Sequence, residues 1–372
     1  MAKKGLLKWA GGKEREMPIL EKSFPKEINN YYEPFVGGGS VYLSTYANHY
    51  YINDLYDELH QFYKFIVSQN EEFKQDLDLL DNLWLDTTKF FENNIDDFLK
   101  FMHTRHEQES DTQKFVDTIT KSFYQNVYQA KYKSLTNTPI DLEKIFQKIV
   151  TDKIQRILKH ELSKGLLSDD DLKENFKSAL KSAIYTYVRA IYNHYRIKGD
   201  IENPLYIASF YFMRNYCYSS MFRFNASNEF NVPYGGMSYN ENYLNKKIDY
   251  IYSNDNLDKY AQTDVTNLDF EKFLTQQDFK ENDFIFLDPP YDSDFSDYAG
   301  NAFTQDDQKR LANILLETKA KWLLVIKKTD FIESLYSDPR VTIDSFEKKY
   351  QVSFKNRNNK DVEHLVIKNY SL

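Results

Sequence analysis

Four consecutive residues have the clearest chemical potential in this chain: Asp288, Pro289, Pro290 and Tyr291. They follow the apolar run 284–287, which is typical of a short strand buried on both faces of a parallel sheet. Because proline cannot donate to a sheet, Pro289 ends this strand, and Pro290 keeps the residue before it extended. The Asp288 carboxylate and the Pro289 carbonyl are therefore two fixed hydrogen-bond acceptors at a strand's carboxyl end, where open α/β sheets bind ligands. An ordinary exit from a strand into a loop is the alternative, since short motifs also occur by chance.

Two further candidates lie near the start of the chain. EPFVGGGSV, residues 33–41, follows a predicted strand and precedes a helix, and its glycines permit close backbone approach to a ligand. Its spacing differs from G-x-G-x-x-G, so a dinucleotide is not specifically indicated. Asp54, 17 positions beyond Gly37, ends the next predicted strand, where a carboxylate can bind ribose hydroxyls. A tight turn followed by a helix-capping Asp would explain the same residues.

The segment LLKWAGGK, residues 6–13, places Trp9 and Lys13 on either side of a glycine turn. An aromatic ring beside a basic group could hold a flat or carboxylated ligand. A buried tryptophan with a solvated lysine would give the same pattern, so this segment alone does not decide between the two.

The elements that must position these residues come from both ends of the chain. Residues 1–60 have a β-α-β-α order, and the pattern returns after residue 280 with a buried strand, a helix near 304–319 and a strand at 321–328. Two alternating strands joined by NRNNKD then predict an antiparallel hairpin. We therefore predict an α/β fold with a doubly wound sheet and a C-terminal antiparallel hairpin.

The middle of the chain has a helical pattern. Two amphipathic stretches lie within residues 71–200, and the second begins with Ser168 as a helix-capping candidate followed by acidic residues. The first has its apolar stripe at Leu142, Ile145, Phe146, Ile149, Ile154, Ile157, Leu158 and Leu162. We predict that residues 66–249 form an inserted, mostly helical domain, and that residues 1–65 and 250–372 together form the α/β domain.

Composition restricts the class of protein. The 372 residues, 41% of them hydrophobic, suffice for two domains or for one α/β domain with a large insertion. No apolar run approaches the ~18 residues of a membrane span, and the first residues lack the apolar region of a secretory signal. Cys217 is the single cysteine, which excludes an intramolecular disulfide and a thiolate-rich zinc site. We expect a cytoplasmic protein without a metal ion.

The net charge of −8 argues at first against a nucleic-acid partner. However, residues 71–120 contain 13 acidic and five basic side chains, so the remainder of the chain is neutral overall. Residues 1–26 and 341–360 are locally basic. A neutral body with basic patches can bind a polyanion along one face, although a solvated surface with an acidic helical region fits the same counts.

Taken in order, six segments resemble the motif series of Dam-type DNA adenine-N6 methyltransferases: LLKWAGGK, EPFVGGGSVYL, INDLYDEL, RFNASNEFNVPYGG, FLDPPY and NRNNKDVEHLVIKNY. The resemblance covers residues 5–60 and about 210–370, and residues 71–200 fall largely outside it. It implies a Rossmann-like methyltransferase sheet, S-adenosylmethionine as methyl donor, and double-stranded DNA as substrate. The cofactor residues that it implies are Trp9, Ala10, Lys13, Glu33, Pro34, Phe35, Gly37, Asp54, Asp264 and Asp288.

The resemblance also implies where DNA is contacted, with the inserted domain as the target-recognition domain. Lys8 and Arg223 occupy positions associated with base contacts, and Asn225 lies in the same DNA-reading segment as Arg223. The basic C-terminal hairpin adds Lys355 and Arg357 as phosphate contacts. Asn228 stands where the family segment often has glycine, which leaves the geometry of that turn open.

The resemblance assigns a chemistry to the tetrapeptide that begins at Asp288. An exocyclic adenine amine is a poor nucleophile because its lone pair is delocalised into the ring. Two acceptors, the Asp288 carboxylate and the Pro289 carbonyl, can hold its two N–H groups and free the lone pair for attack on the sulfonium methyl group. Tyr291 offers a face on which the base can stack. Because a paired base cannot reach this edge, we expect the enzyme to flip it out of the duplex.

Two other functions remain open from the sequence. Related acid-Pro-Pro-aromatic tetrapeptides serve other planar amines, so a methyltransferase acting on RNA or on a protein amide is one alternative. A non-catalytic DNA-binding protein on the same fold is the other. The DNA methyltransferase hypothesis is compatible with a partner restriction endonuclease and with a phage context, and we expect a monomer with no membrane partner.

Overall fold

The computed structural model describes residues 3–104, 109–290, 303–349 and 361–371. The chain divides into two compact units. The first consists of Met1–Ser68 together with Ile251–Leu372, and the second is Gln69–Tyr250. The first unit is thus assembled from two separate parts of the chain, with the second unit inserted between them.

The first unit contains a single mixed sheet. Its strands are β1 (Asn30–Glu33), β2 (His49–Asn53), β3 (Thr263–Thr266), β4 (Phe284–Leu287), β5 (Lys321–Lys327), β6 (Thr342–Lys349) and β7 (Asp361–Lys368). Within the described parts of the chain, these seven strands have the order β3-β2-β1-β4-β5-β7-β6. β1 to β5 run parallel, whereas β7 pairs antiparallel with both β5 and β6. The predicted α/β fold with a terminal antiparallel pair is confirmed.

The strand order creates one topological switch point. β1 pairs with β2 on one side and with β4 on the other, and the chain reaches β4 only after it has left the sheet beyond β3. In open α/β sheets, ligands bind in the crevice at such a point, outside the carboxyl ends of the strands. We therefore expect a ligand-binding site at the carboxyl ends of β1, β2 and β4.

β4 and β5 have continuous apolar sequences because both strands lie in the core of the sheet. All four β4 side chains are fully buried, as are Trp322 to Val325 of β5. The helix Gln305–Glu317 begins with a reciprocal capping box between Thr304 and Asp307 and packs Leu311 and Leu315 onto this layer. Each fully buried leucine contributes about 1.5–3 kcal/mol relative to exposure. The first unit's other α-helices are Met17–Leu20, Ser40–Ser44, Asp57–Val67, Asn254–Tyr260, Phe270–Thr275 and Asp330–Leu335.

The second unit is mostly helical. Its α-helices are Glu71–Thr104, Glu109–Phe123, Gln129–Lys131, Lys133–Thr136, Leu142–Lys164, Asp169–Lys198, Pro204–Tyr216 and Asn245–Ile251. The helix Asp169–Lys198 has 30 residues and is called the 30-residue helix below. Ser168 caps it by accepting a hydrogen bond from the Asp171 N–H group. None of the helices in the described ranges is long and apolar enough to span a bilayer.

One position of the predicted apolar stripes is wrong. Leu162 is 90% exposed, whereas its neighbour Glu161 is buried. Glu161 Oε1 accepts a hydrogen bond from the Leu167 N–H group, 3.0 Å away, beyond the end of the helix. The last inward position is therefore used to bind the chain that leaves the helix, and Leu162 faces solvent.

Candidate active site

The loops after β1 and β2 are joined by Asn53, a residue that the sequence did not single out. Asn53 is 1% exposed. Its amide donates to the carbonyl oxygens of Pro34, at 3.0 Å, and Leu268, at 2.9 Å, and its Oδ1 accepts from the Leu268 N–H group at 2.9 Å. One side chain thus binds the carboxyl ends of β1, β2 and β3 together. Its only sequence signal is a polar residue at a strand end, directly before Asp54.

The glycine loop after β1 lies against the predicted Trp9 segment. Gly37 has φ +49°, and a Cβ atom there would lie 3.1 Å from Trp9 Cδ1. The Gly37 carbonyl accepts a hydrogen bond from the Tyr63 hydroxyl at 2.8 Å. Trp9 also packs edge-on against Tyr56, with ring centroids 5.2 Å apart. Both the backbone conformation and the close indole therefore favour glycine at position 37.

Asp54 is held at the end of β2 by backbone N–H groups. Its Oδ2 accepts from Gly37 N and its Oδ1 accepts from Tyr56 N, both at 3.0 Å. Burial raises the pKa of the Asp54 carboxyl to about 6, although backbone hydrogen bonds from Tyr56, Gly37 and Leu55 oppose the shift. The carboxylate is therefore fixed between two loops, and its charge changes close to neutral pH.

Lys13 and Asp288 form an ion pair at the end of β4. The Lys13 side chain is 2% exposed, and its ammonium group donates to Asp288 Oδ2 and, at 3.0 Å, to the Gly11 carbonyl. Asp288 retains 19% exposure of its side chain. A buried cation thus fixes the direction of a carboxylate that still reaches the surface.

The prolines after Asp288 continue away from the sheet. Pro289 is buried and Pro290 is exposed, with the Pro290 carbonyl accepting from Gln308 Nε2 at 3.4 Å. Tyr291, the last residue of the predicted catalytic tetrapeptide, lies outside the described residues.

Glu33 and its neighbours form the floor of the β1 end. Glu33 is 2% exposed and accepts a 2.7 Å hydrogen bond from the Tyr31 hydroxyl. Burial, with a smaller contribution from the Asp288 charge, holds the pKa of the Glu33 carboxyl well above its usual range. Pro34 is buried beside it. In the described part of the chain, no group of three or more His, Cys, Asp or Glu side chains is arranged to hold a metal ion.

Phe35 belongs to an aromatic wall that the sequence only partly indicated. Its ring lies 5.7 Å from the rings of both Phe270 and Phe303, measured between centroids. Phe270 and Phe303 are themselves 5.4 Å apart. Among 28 phenylalanines, these two have no distinguishing pattern, so only the fold reveals that they meet Phe35.

The structure does not bring Asp264 together with the other cofactor candidates. Asp264 is the second residue of β3, opposite Tyr51, and its carboxylate is 62% exposed. Its Oδ2 lies 2.9 Å from His49 Nε2, at the amino end of β2. Asp54 lies beyond the opposite end of that strand. Lys8 and Ala10, on either side of Trp9 in the sequence, are both exposed.

The predicted DNA-reading residues in the second unit lie on a short antiparallel hairpin. Phe224 bridges to Phe230, and Arg223 is exposed, with its Nε donating to Asn231 Oδ1 at 3.2 Å. Asn225 forms the turn, because its Oδ1 accepts from the N–H groups of Ser227, at 3.0 Å, and Glu229, at 2.9 Å.

The two predicted phosphate contacts, Lys355 and Arg357, lie outside the described residues.

Asn228 resolves the geometry of this turn. Its φ is +59°, in the left-handed region that favours glycine. Asparagine is among the side chains that enter this region most readily. The turn therefore accommodates asparagine at position 228 in a conformation that glycine would also adopt.

Comparison with known proteins defines the family. The family model described as "D12 class N6 adenine-specific DNA methyltransferase" matches residues 9–181 and 141–353, which together span most of the chain. The chain belongs to this family, and the Dam-type resemblance is confirmed. It is an adenine-specific DNA methyltransferase. The expectation that residues 71–200 fall largely outside the resemblance is wrong, because the matched ranges include them.

Individual relatives agree with the family. Over 197 residues the chain is 34% identical to the type II methyltransferase M.CviBI of Paramecium bursaria Chlorella virus NC1A, covering 50% of this chain and 72% of the relative. It is 26% identical over 386 aligned positions to the type II methyltransferase M.MjaIII of Methanocaldococcus jannaschii, with full coverage of both chains. It is 29% identical over 164 residues to the retron Ec67 DNA adenine methylase of Escherichia coli, covering 43% of this chain and 54% of the relative.

Proposed function

We propose that this enzyme transfers a methyl group from S-adenosylmethionine to the N6 amine of an adenine flipped out of duplex DNA at a defined sequence. The observation that carries the proposal is the position of Asp54 and of the Lys13–Asp288 pair at the carboxyl ends of β2 and β4, on either side of the switch point. This is the position at which a doubly wound sheet binds its ligand.

The residues at this edge fit the proposed cofactor. S-adenosylmethionine supplies a methyl group bonded to a positively charged sulfur. Asp54 would accept hydrogen bonds from the ribose hydroxyls, and the flat faces of Trp9 and Phe35 suit an adenine ring. The Gly37 backbone, which a side chain would push away from Trp9, permits close approach of the methionine portion.

Asp288 and Pro289 would hold the target amine. Their two oxygens accept the two N–H groups of adenine N6, which draws the nitrogen towards tetrahedral geometry. As nitrogen gains the methyl group and the methyl–sulfur bond of the donor breaks, positive charge would pass from sulfur to this nitrogen and leave a neutral thioether. Both hydrogen bonds would therefore strengthen in the transition state. Lys13 orients the carboxylate, and Pro290 limits the conformations of the loop. Tyr291 would stack on the flipped base.

The second unit would select the DNA sequence. Arg223 is exposed on its hairpin and would read a guanine edge, so Arg223→Ala should cost ~1–3 kcal/mol and relax one position of the target. Lys8 would contact a base, and Lys355 and Arg357 would contact phosphates. The acidic stretch 71–120 should face away from the duplex, because its carboxylates would repel phosphates.

Methyl transfer from labelled S-adenosylmethionine to duplex DNA, RNA and total protein tests the proposal. We expect N6-methyladenine in duplex DNA at one motif, which sequencing of modified adenines from an expressing host would identify. Preferential labelling of RNA or protein would favour the alternative substrates, and binding of duplex DNA without transfer would favour a non-catalytic protein. The type II names of two relatives support a restriction-modification role, with a cognate endonuclease as partner.

A further inference from the structure

The segment 228–232 of the DNA-reading hairpin has two hydrogen-bonding edges. On one edge it pairs with the segment that contains Arg223: Asn231 N donates to the Arg223 carbonyl at 3.2 Å, and Asn225 N donates to the Glu229 carbonyl at 2.9 Å. Residues 229 and 231 therefore use one edge. The backbone groups of the even-numbered residues point to the other edge.

No strand covers that other edge in the described residues; side chains of the 30-residue helix do. Asn193 donates through Nδ2 to the Phe230 carbonyl at 3.1 Å and accepts from the Phe230 N–H group at 2.8 Å. Tyr185, at 2.8 Å, and Arg189, at 3.3 Å, both donate to the Val232 carbonyl. Asn193 thus makes the pair of bonds that a residue in a neighbouring strand would make.

Arg196 binds the same edge at the turn. Together with Arg189 and Asn193 it forms a line of side chains along the 30-residue helix, called the row below. Arg196 Nε donates to the Asn228 carbonyl at 3.2 Å, and a terminal guanidinium nitrogen donates to Asn228 Oδ1 at 3.1 Å. The guanidinium carbon also lies 3.9 Å from the centroid of the Phe224 ring. The Arg196 side chain therefore binds both the backbone and the side chain of Asn228, the residue in the left-handed conformation.

The spacing of the row matches the spacing of the strand. Alternate residues of a strand lie about 6.6 Å apart, and residues four apart on a helix rise about 6 Å. Arg189 and Asn193 are four apart and Asn193 and Arg196 are three apart, so successive helical turns meet Val232, Phe230 and Asn228 in order. The helix satisfies an edge that would otherwise leave backbone groups without protein partners.

We propose that Arg189, Asn193 and Arg196 are positioning residues for target reading: they set the register of segment 228–232 and, through its pairing, the position of Arg223. This inference rests on the proposed function. A slip of one residue would turn Asn231, which holds the Arg223 side chain, to the opposite face of the strand. The row would therefore contribute to sequence selectivity by positioning Arg223.

The test compares methylation of the mapped target duplex with methylation of duplexes that differ at one base pair. In Asn193→Ala and Arg196→Ala, we expect the ratio of kcat/KM for target over mismatched duplexes to fall by about tenfold or more, on the scale of one mismatched base pair. S-adenosylmethionine affinity should stay within about twofold, because the row lies in the second unit. Arg196→Lys keeps one donor and should restore part of the ratio.

Lys173→Ala is the matched control, because it removes a half-exposed cation from the same helix whose ion-pair partner is Asp170 rather than the hairpin. Should Asn193→Ala fail to fold, Arg196→Ala at the half-exposed end of the row provides the same test. An unchanged ratio, or an equal loss on every duplex, would overturn the inference while leaving the proposed function intact. If the wild-type enzyme methylates no duplex DNA, the proposed function fails, and the inference fails with it.

Discussion

Ionisable side chains at the sheet edge of the first unit and those between the helices of the second unit have different surroundings. In the first unit, Lys13, Asp54 and Asp288 come from three separate parts of the sequence and lie at the ends of loops or strands. Their partners are backbone N–H and carbonyl groups and one another. Asp288 retains side-chain exposure, so its carboxylate remains accessible to a ligand.

In the second unit, buried ionisable side chains lie between helices and a following segment. Lys181 is fully buried, and its side-chain nitrogen donates to the Trp84 carbonyl and lies 4.2 Å from the Trp84 ring centroid. One helical turn earlier, Lys177 pairs with Glu241. Asp81 accepts from the Leu244 N–H group at 2.7 Å. Each of these side chains has a partner on a different element, so each holds two elements together.

Polar groups at the sheet edge can bind a ligand, whereas those between the helices hold the fold together. A parallel sheet gathers strand ends at one edge, and polar groups at that edge can serve a ligand without weakening the core. A helical cluster encloses its polar groups, and an enclosed charge costs stability unless it is fully paired. Substitutions at the sheet edge should therefore change the reaction more than the fold, and substitutions in the helical cluster should do the reverse.

The largest effect is expected at Asp288. Asp288→Ala should lower the single-turnover rate of methyl transfer over a hundredfold, a loss of ~3 kcal/mol or more, because it removes a preorganised charged acceptor. DNA binding should weaken far less. Asp288→Asn keeps the size and one carbonyl oxygen, so its residual rate separates hydrogen-bond geometry from charge. A wild-type rate in the alanine variant, with both ligands saturating, would reduce the tetrapeptide to a strand exit.

The next effect concerns cofactor affinity. Asp54→Ala should weaken S-adenosylmethionine binding by about 1.5–3 kcal/mol, the value of hydrogen bonds to a charged group, while the fold survives. Calorimetry measures this directly. Asp264→Ala is the matched deletion of a carboxylate, and we expect unchanged affinity because Asp264 contacts His49 at the far end of β2. Equal losses in the two variants would contradict the position of the site.

Local sequence signals account for part of the site. Asp288 and Asp54 were predictable because each directly follows a short apolar strand, and Gly37 because a glycine run joins a strand to a helix. Asn53, Phe270 and the Asn193 row depend on which distant elements meet, and single-sequence patterns do not contain that information. Leu162 shows the converse, since helical periodicity does not reveal that Glu161 binds the departing chain.

Cofactor binding should also depend on pH. Because burial raises the pKa of the Asp54 carboxyl to about 6, the carboxylate that we propose as the ribose acceptor is fully present only above that value. Affinity should therefore fall as pH drops below about 6, by roughly tenfold per pH unit. Asp54→Asn should bind more weakly than wild type at neutral pH and show a flat profile. An unchanged slope in that variant would assign the titration to another group.

The smallest effect on methyl transfer is expected in the helical cluster, at Lys181, where substitution should instead change stability. Burial, with a smaller contribution from Lys177, lowers the pKa of the Lys181 ammonium from 10.5 to about 6, and Glu241 and Asp81 oppose the shift. Between these two values the unfolded state binds one proton more than the folded state. Stability therefore rises with pH across this window, by up to about 1.4 kcal/mol per pH unit from this group.

Lys181→Met removes this titration while keeping an unbranched apolar stem. The free energy of unfolding, measured in urea between about pH 6.5 and 9, should rise less steeply with pH in the variant than in the wild type. Lys173→Met changes a half-exposed lysine on the same helix and should leave the wild-type slope intact. Methyl transfer by the folded Lys181→Met variant should stay near the wild-type rate, because the cluster holds helices rather than substrate. A large loss of that rate with an unchanged pH slope would reverse the roles that the comparison gives to the two units.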